Sequence, residues 1–230
     1  MTVPVAVLLG IALFASAWFY GKWRTLRRAE FIRTFRWPRG LLERLEKRHA
    51  GFARKDSALV SRGLRQFFLA YLMSGKRHVS MPSQVADDLW HEFILYTRDY
   101  DAFCRRAFGG FLHHTPAVVL SELRRSNEGL RRVWWYCCKY ENIDPVRPTR
   151  LPLLFALDSK LNIANGFVYH PDCEELRKNG GGAAYCGGDF SDTSFDGSSD
   201  GLGDTGSDAS GDGGAGGGGG DGGGGCGGGD

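Results

Sequence analysis

Lysine and arginine are missing from both ends of this 230-residue chain. Residues 3–20 contain no charged side chain, while residues 179–230 contain nine aspartates and no lysine or arginine. All 29 basic residues therefore lie in residues 1–178 together with 17 acidic ones, because 26 − 9 leaves 17. This segregation excludes one continuous globule and leaves about 140 residues in the middle of the chain for a single domain core.

Strand signals are also missing. No segment shows sustained alternation of apolar and polar residues, and no Asn-Gly pair is flanked by strand patterns. Apolar residues instead recur at spacings of three and four, first between Val60 and Leu72 and then in a long helix predicted from about Ser80 to Phe108. One face of that long helix carries Leu89, Phe93, Tyr96, Tyr100, Phe103, Cys104 and Ala107.

Further helical patterns follow the Thr115-Pro116 pair, in GLRRVWWYCCKY and in LLFALDSKL. The sequence therefore predicts an all-α fold, with a helical bundle of five or six helices as its body.

Six cysteines could form three disulfides in an oxidising compartment, whereas a cytoplasmic body favours reduced thiols. The six cysteines include no C-x-x-C pair. Cys137 and Cys138 follow Trp134 and Trp135 in a hydrophobic helical pattern, and we expect them to be reduced core residues. Cys226 lies among glycines, with no pattern that assigns it a role.

The uncharged segment near the N-terminus has the length of a membrane anchor. Eighteen helical residues, 3–20, span about 27 Å, close to the ~30 Å hydrocarbon core of a bilayer. We predict a transmembrane helix over residues 1–21 and a basic juxtamembrane segment over residues 22–37. By the positive-inside rule the N-terminus lies outside, and the body and tail lie on the cytoplasmic side of the inner membrane. The predicted interface residues, which could contact anionic lipid headgroups, are Trp18, Tyr20, Trp23, Arg24, Arg27 and Arg28.

A cleavable signal peptide is the alternative for the same segment. Ala15-Ser16-Ala17 resembles an A-x-A cleavage site. A signal peptide, however, begins with a positively charged region, and no basic side chain precedes the apolar run. The arginines that follow it also oppose export of the downstream chain, so the anchor is the favoured interpretation.

Residues 179–230 are predicted to form a disordered acidic tail. They hold 24 of the 34 glycines, and aspartate recurs every four residues from Asp192 to Asp212. Glycine costs a helix about 1 kcal/mol per residue, and no calcium-binding repeat fits the spacing. An acidic tail attached to a basic body can fold back on it electrostatically.

The histidines offer candidate metal ligands, although the protease motif H-E-x-x-H is incomplete. His91-Glu92 is followed by Leu95 where that motif requires its second histidine. A site shared by His91 and Cys104 would need ligands about 20 Å apart along one straight helix, which excludes it.

A different site remains open for His91. It would combine His91 with an aspartate one turn earlier, and with one histidine of the His113-His114 pair if the chain reverses at Gly109-Gly110. The aspartate would be Asp87 or Asp88. A carboxylate one turn from a histidine orients the ring with or without a metal. The sequence thus leaves two interpretations: a metal site with His91 and His114, or a helix contact without an ion. We favour the contact without an ion, in which His113-His114 belong to a loop that enters the next helix.

One spaced motif resembles a known family. Its residues are Trp90, His91, Leu95, Tyr100, Cys104, Gly109 and His114. The pattern is similar to that of the glycine-rich domain-containing proteins of plants and bacteria, most closely to the bacterial branch. That resemblance implies an N-terminal hydrophobic anchor, a helical domain over residues 38–178 and a glycine-rich end.

Further segments of the body resemble this family. They are residues 90–95, 111–116 and 153–158, with Asp172-Cys173. Plant members often carry W-H-x-H, whereas this chain has Phe93 at the second histidine position, so a paired-histidine site would lose one ligand. The family implies no established activity.

The leading functional hypothesis is a membrane-anchored cytoplasmic interaction or scaffold module with a protein partner. The alternative is a metal- or thiol-dependent enzyme centred on His91, His113, His114 and Cys104. The arginine pairs of the basic body are dispersed along helices and no nucleic-acid motif accompanies them, so no nucleic acid is expected. The sequence assigns neither a reaction nor a cofactor.

Overall fold

The computed structural model describes residues 3–114, 125–171, 185, 186 and 190. Within these residues the chain is mostly helical, which confirms the all-α prediction. The helices are α1 Val3–Thr34, α2 Leu41–Arg48, α3 Arg54–Met73, α4 Gln84–Leu95, α5 Thr97–Phe108, α6 Arg125–Tyr140 and α7 Leu153–Lys160. Two short strands, β1 Tyr169–His170 and β2 Tyr185–Cys186, pair in parallel with Tyr169 opposite Tyr185.

Helix α3 is the centre of the bundle and packs against α1, α2, α4, α6 and α7. Its predicted apolar face is confirmed, since Val60, Leu64 and Phe68 are all buried. Gly63 allows a close approach to another helix: a Cβ there would lie 2.5 Å from Leu157 Cδ1 of α7. The core therefore forms around one helix that the apolar periodicity identifies correctly.

Helix α1 runs from the uncharged segment into the body without a break. Among the residues described, no helix is both long and apolar enough to cross a membrane, so the predicted transmembrane helix is not supported. The C-terminal part of α1 belongs to the core, because Ala29 and Ile32 are buried. The body thus includes part of the segment 22–37 that the sequence assigns to a juxtamembrane region.

The predicted membrane-interface residues divide into two groups. Arg28 is half-buried and packs over the backbone of Gly109, where a Cβ would lie 2.4 Å from the Arg28 Nη2 atom. Arg28 is therefore part of the bundle. The other five side chains are exposed on α1: Trp18, Tyr20, Trp23, Arg24 and Arg27.

The long helix predicted to end at Phe108 is two helices, separated at Tyr96. Tyr96 leaves the helical conformation, with φ −82° and ψ 60°. The break lets both helices contribute to one aromatic cluster: the rings of Phe93 and Tyr100 lie 5.2 Å apart. In a straight helix, residues seven apart are separated by about 10 Å along the axis. The predicted face is otherwise correct, since Phe93, Phe103 and Ala107 are buried.

The body extends past residue 178, where the sequence places the start of the tail. Phe190 is buried, with its ring 5.6 Å from that of Trp134 and 5.9 Å from that of Phe155. Residues 191–230, and the helix start predicted at Thr115-Pro116, lie outside the described residues.

Candidate metal centre

The first turn of α4 is fixed by a buried carboxylate from α7. Asp158 accepts hydrogen bonds from the Ser83 hydroxyl at 2.7 Å and from the N–H groups of Gln84 at 2.7 Å and Val85 at 3.2 Å. These N–H groups have no partner within the helix, and an anion at a helix N-terminus is stabilised by the helix dipole. Ser83 also caps α4, because its Oγ accepts from the N–H of Ala86. The position of α4 in the bundle is thereby set.

Asp87 and His91 lie one turn apart on helix α4. The Nδ1 atom of His91 is 2.9 Å from the carbonyl oxygen of Asp87 and 3.3 Å from its carboxylate Oδ2. This spacing of four residues places two side chains over one another on a helix surface. The predicted pairing of His91 with an aspartate one turn earlier is confirmed for Asp87.

His114 reaches the same point from beyond α5. Gly109 ends α5 in the left-handed conformation, with φ 78°, and the chain reverses there. The Nε2 atom of His114 lies 2.8 Å from Asp87 Oδ1, and its ring centroid is 4.1 Å from that of His91. The reversal predicted at Gly109-Gly110 thus brings the two histidines together.

The neighbouring His113 does not join this cluster. Its ring is exposed and lies 4.9 Å from the ring of Phe111. The structure therefore selects His114 from the predicted pair.

One ligand atom each from Asp87, His91 and His114 lies within 4.8 Å of the other two. The His114 side chain is 9% exposed, that of Asp87 19% and that of His91 44%, so the cluster opens to solvent on the His91 side. Ligands of a tetrahedral zinc ion are roughly 3.4 Å apart when the metal–ligand bonds are about 2.0–2.1 Å. The distance from Asp87 Oδ1 to His114 Nε2 is 2.8 Å and that from Asp87 Oδ2 to His91 Nδ1 is 3.3 Å, both near this spacing.

Three motif residues form a buried support beneath the cluster. The Trp90 indole N–H donates to the Tyr100 hydroxyl at 3.1 Å, and that hydroxyl donates to the carbonyl oxygen of Leu112 at 2.5 Å. The ring of Trp90 meets that of His114 edge to face, with centroids 4.4 Å apart. Cys104, one turn after Tyr100, lies within hydrogen-bonding reach of both Tyr100 and the Leu112 backbone.

The Cys104 thiol is in a setting that disfavours chemistry. It is fully buried, and burial raises its pKa above the ordinary value, although the nearby Leu112 backbone and Tyr100 side chain act to lower it. The thiolate is the reactive form of cysteine, so this burial disfavours reactivity of the thiol. Cys137 and Cys138 are also buried, as expected for core residues, and burial likewise raises the pKa of each thiol.

A second charged group, which the sequence does not reveal, lies between α2 and α4. His49 Nε2 is 3.0 Å from Asp88 Oδ2, and Arg48 is 3.4 Å from the other oxygen of Asp88. Glu92 pairs with Arg44 at 3.3 Å and with Arg48 at 3.5 Å. Asp88 and Glu92 therefore contact basic side chains in and just after α2, whereas Asp87 contacts His91 and His114.

Comparison with known proteins gives a family. A family model described as UCP032817-like matches residues 27–190, which is more than half of the chain. No curated protein and no solved structure matches. The matched range begins close to the first buried residue of α1, Ala29, and ends at the buried Phe190. The match therefore coincides with the folded body, and the chain belongs to the UCP032817-like family.

Proposed function

We propose that this protein is a metal-binding helical domain whose centre is formed by Asp87, His91 and His114. The observation that carries the proposal is the convergence of two imidazoles and one carboxylate, with ligand atoms within 4.8 Å, from two separate segments of the chain. The centre lies at the surface of α4, whose first turn is held by Asp158.

The donor set favours a particular class of ion. Two imidazoles and one carboxylate suit Zn²⁺ and other first-row transition ions, whereas Ca²⁺ and Mg²⁺ prefer ligands that are all oxygen. Asp87 would supply the negative charge and the histidines the nitrogen donors. When bound by three protein ligands, such an ion supplies Lewis acidity and lowers the pKa of a bound water.

A zinc competition titration tests this proposal. The purified full-length chain is titrated with Zn²⁺ against a chromophoric chelator, and we expect one ion to bind per chain. His114→Ala should abolish this binding. His113→Ala is the matched control, because it removes an exposed neighbouring imidazole that lies outside the cluster. No zinc binding by the wild type, or equal binding by the His114→Ala protein, would refute the proposal.

A second candidate function is an interaction module held at the cytoplasmic face of the inner membrane. Its support is the exposed N-terminal half of α1, where Leu8, Leu13 and Phe14 are each more than 60% exposed. Lys22 lies 4.2 Å from the centre of the Trp18 ring, and Arg27 lies 5.4 Å from that of Trp23. Aromatic and basic side chains together suit a lipid interface. A protein partner would then bind the helical body.

Membrane fractionation tests this second function. We expect the full-length protein to sediment with membranes and to float with liposomes that contain anionic phospholipid. Retention after alkaline carbonate extraction would indicate an anchor, and release by salt would indicate surface attachment. Recovery in the soluble fraction under all conditions would refute membrane attachment. Deleting residues 191–230, which contain eight aspartates, should tighten liposome binding at low salt if the tail shields the basic body.

A further inference from the structure

His114 is the one member of the metal centre that no helix holds. It follows five residues of irregular chain, 109–113, after the end of α5. Fixing a residue of such a segment costs conformational entropy, so its position depends on the contacts that it makes. The contacts of Leu112, two residues before His114, are the ones that we expect to hold His114 in place.

We propose that Tyr100 is the positioning residue of the centre and that its hydroxyl holds residues 112–114 against α4. The proposal rests on the metal-binding function proposed above. The hydroxyl uses both of its roles in this bridge: it accepts from Trp90, the residue before His91, and donates to the carbonyl of Leu112. Tyr100 thereby links the irregular segment that carries His114 to the helix that carries His91.

Trp90 completes the bridge. Its indole ring is 4% exposed and meets the His114 ring edge to face. Loss of the Tyr100 hydroxyl would leave the Trp90 indole N–H and the Leu112 carbonyl without this shared partner. Burial raises the pKa of Tyr100, so the hydroxyl stays protonated and remains a donor over the ordinary pH range.

The substitution Tyr100→Phe removes the hydroxyl and keeps the ring. We expect the affinity for Zn²⁺ to fall by about 10- to 100-fold, as for other groups that orient a metal ligand. We also expect the imidazole resonances of His114 in the metal-free protein to shift, because its ring loses a fixed neighbour. The absorption spectrum of bound Co²⁺ should change in the same variant.

The control is Ser57→Ala, which removes another buried hydroxyl, one that donates to Glu46 on the α2 side of the bundle. It should lower stability without moving the zinc affinity or the His114 resonances. If Tyr100→Phe leaves the His114 resonances unchanged, the positioning role is wrong whether or not the wild type binds metal. If the resonances shift but the wild type binds no zinc, the metal function fails and the structural bridge stands.

Discussion

Two aspartates at helix α4 have different partners: Asp158 of α7 contacts the first turn of α4, and Asp87 is part of α4 itself. Asp158 is 3% exposed and accepts four hydrogen bonds, one from the Ser83 hydroxyl and three from backbone N–H groups, the last from Phe167 at 2.9 Å. Its donors belong to the fold and cannot leave without unfolding part of it. This carboxylate is therefore committed to structure.

Asp87 lies in the first turn of α4 and has a different set of partners. Its carboxylate oxygens meet the imidazoles of His91 and His114, and its side chain is 19% exposed. Both partners are histidine side chains, the residue type that most commonly ligates metal ions in proteins. The comparison shows that a carboxylate saturated by backbone donors holds a helix in place, whereas one shared by two imidazoles is available to an ion.

The largest expected change in the free energy of unfolding comes from removing the charge of Asp158. Asp158→Asn should lower the free energy of unfolding by about 3 kcal/mol or more, because an amide accepts fewer hydrogen bonds and leaves buried N–H groups without a partner. Urea unfolding followed by circular dichroism measures the change. A variant as stable as the wild type would show that Asp158 is not what secures α4.

Glu141 is a third carboxylate that accepts a hydrogen bond from a backbone N–H, so we expect it to stabilise the fold as Asp158 does. Burial alone would raise its pKa, but hydrogen bonds from the Leu153 N–H, Gln66 and Arg150 outweigh burial and lower the pKa from its ordinary value of 4.5. A lowered pKa in the folded state stabilises the protein above the unfolded-state pKa, and this stabilisation is lost as the pH falls through the folded-state value.

Glu141→Gln should therefore cost roughly 2 kcal/mol at pH 7 and much less at pH 3. Urea unfolding at the two pH values measures the difference between variant and wild type. If that difference is the same at both values, the ionised carboxylate does not make the contribution assigned to it.

The smallest expected change in stability comes from substituting Asp87, whose carboxylate contacts both His91 and His114. Asp87→Asn should change the free energy of unfolding of the metal-free protein by less than about 1 kcal/mol, since its partners are partly exposed side chains. The same variant should lose zinc binding. A stability loss as large as that of Asp158→Asn would make Asp87 a structural residue and remove the contrast between the two carboxylates.

Local patterns in the sequence predict the features that depend on local spacing. The apolar face of α3, the buried pair Cys137 and Cys138, and the contact of His91 with a carboxylate one turn earlier all follow from helical periodicity. The glycine pair after Phe108 also predicts the reversal that returns the chain toward His91. These features need no knowledge of distant residues.

Other features depend on contacts between residues far apart in sequence. Asp158 meets Ser83 across 75 positions, and Arg44 meets Glu92 across 48, so no local pattern reveals either pair. The break at Tyr96 contains neither glycine nor proline, and aromatic packing of the two helices favours it over a straight helix. The choice of His114 over His113 depends on the conformation of an irregular segment, which periodicity does not predict.

X-ray absorption at the zinc edge of the loaded full-length protein tests the central claim most directly. Binding by Asp87, His91 and His114 predicts two imidazole nitrogens and at least one oxygen at about 2.0–2.2 Å, with no sulfur. Sulfur scattering at about 2.3 Å, or a first shell without imidazole, would place the ion elsewhere and contradict the assignment.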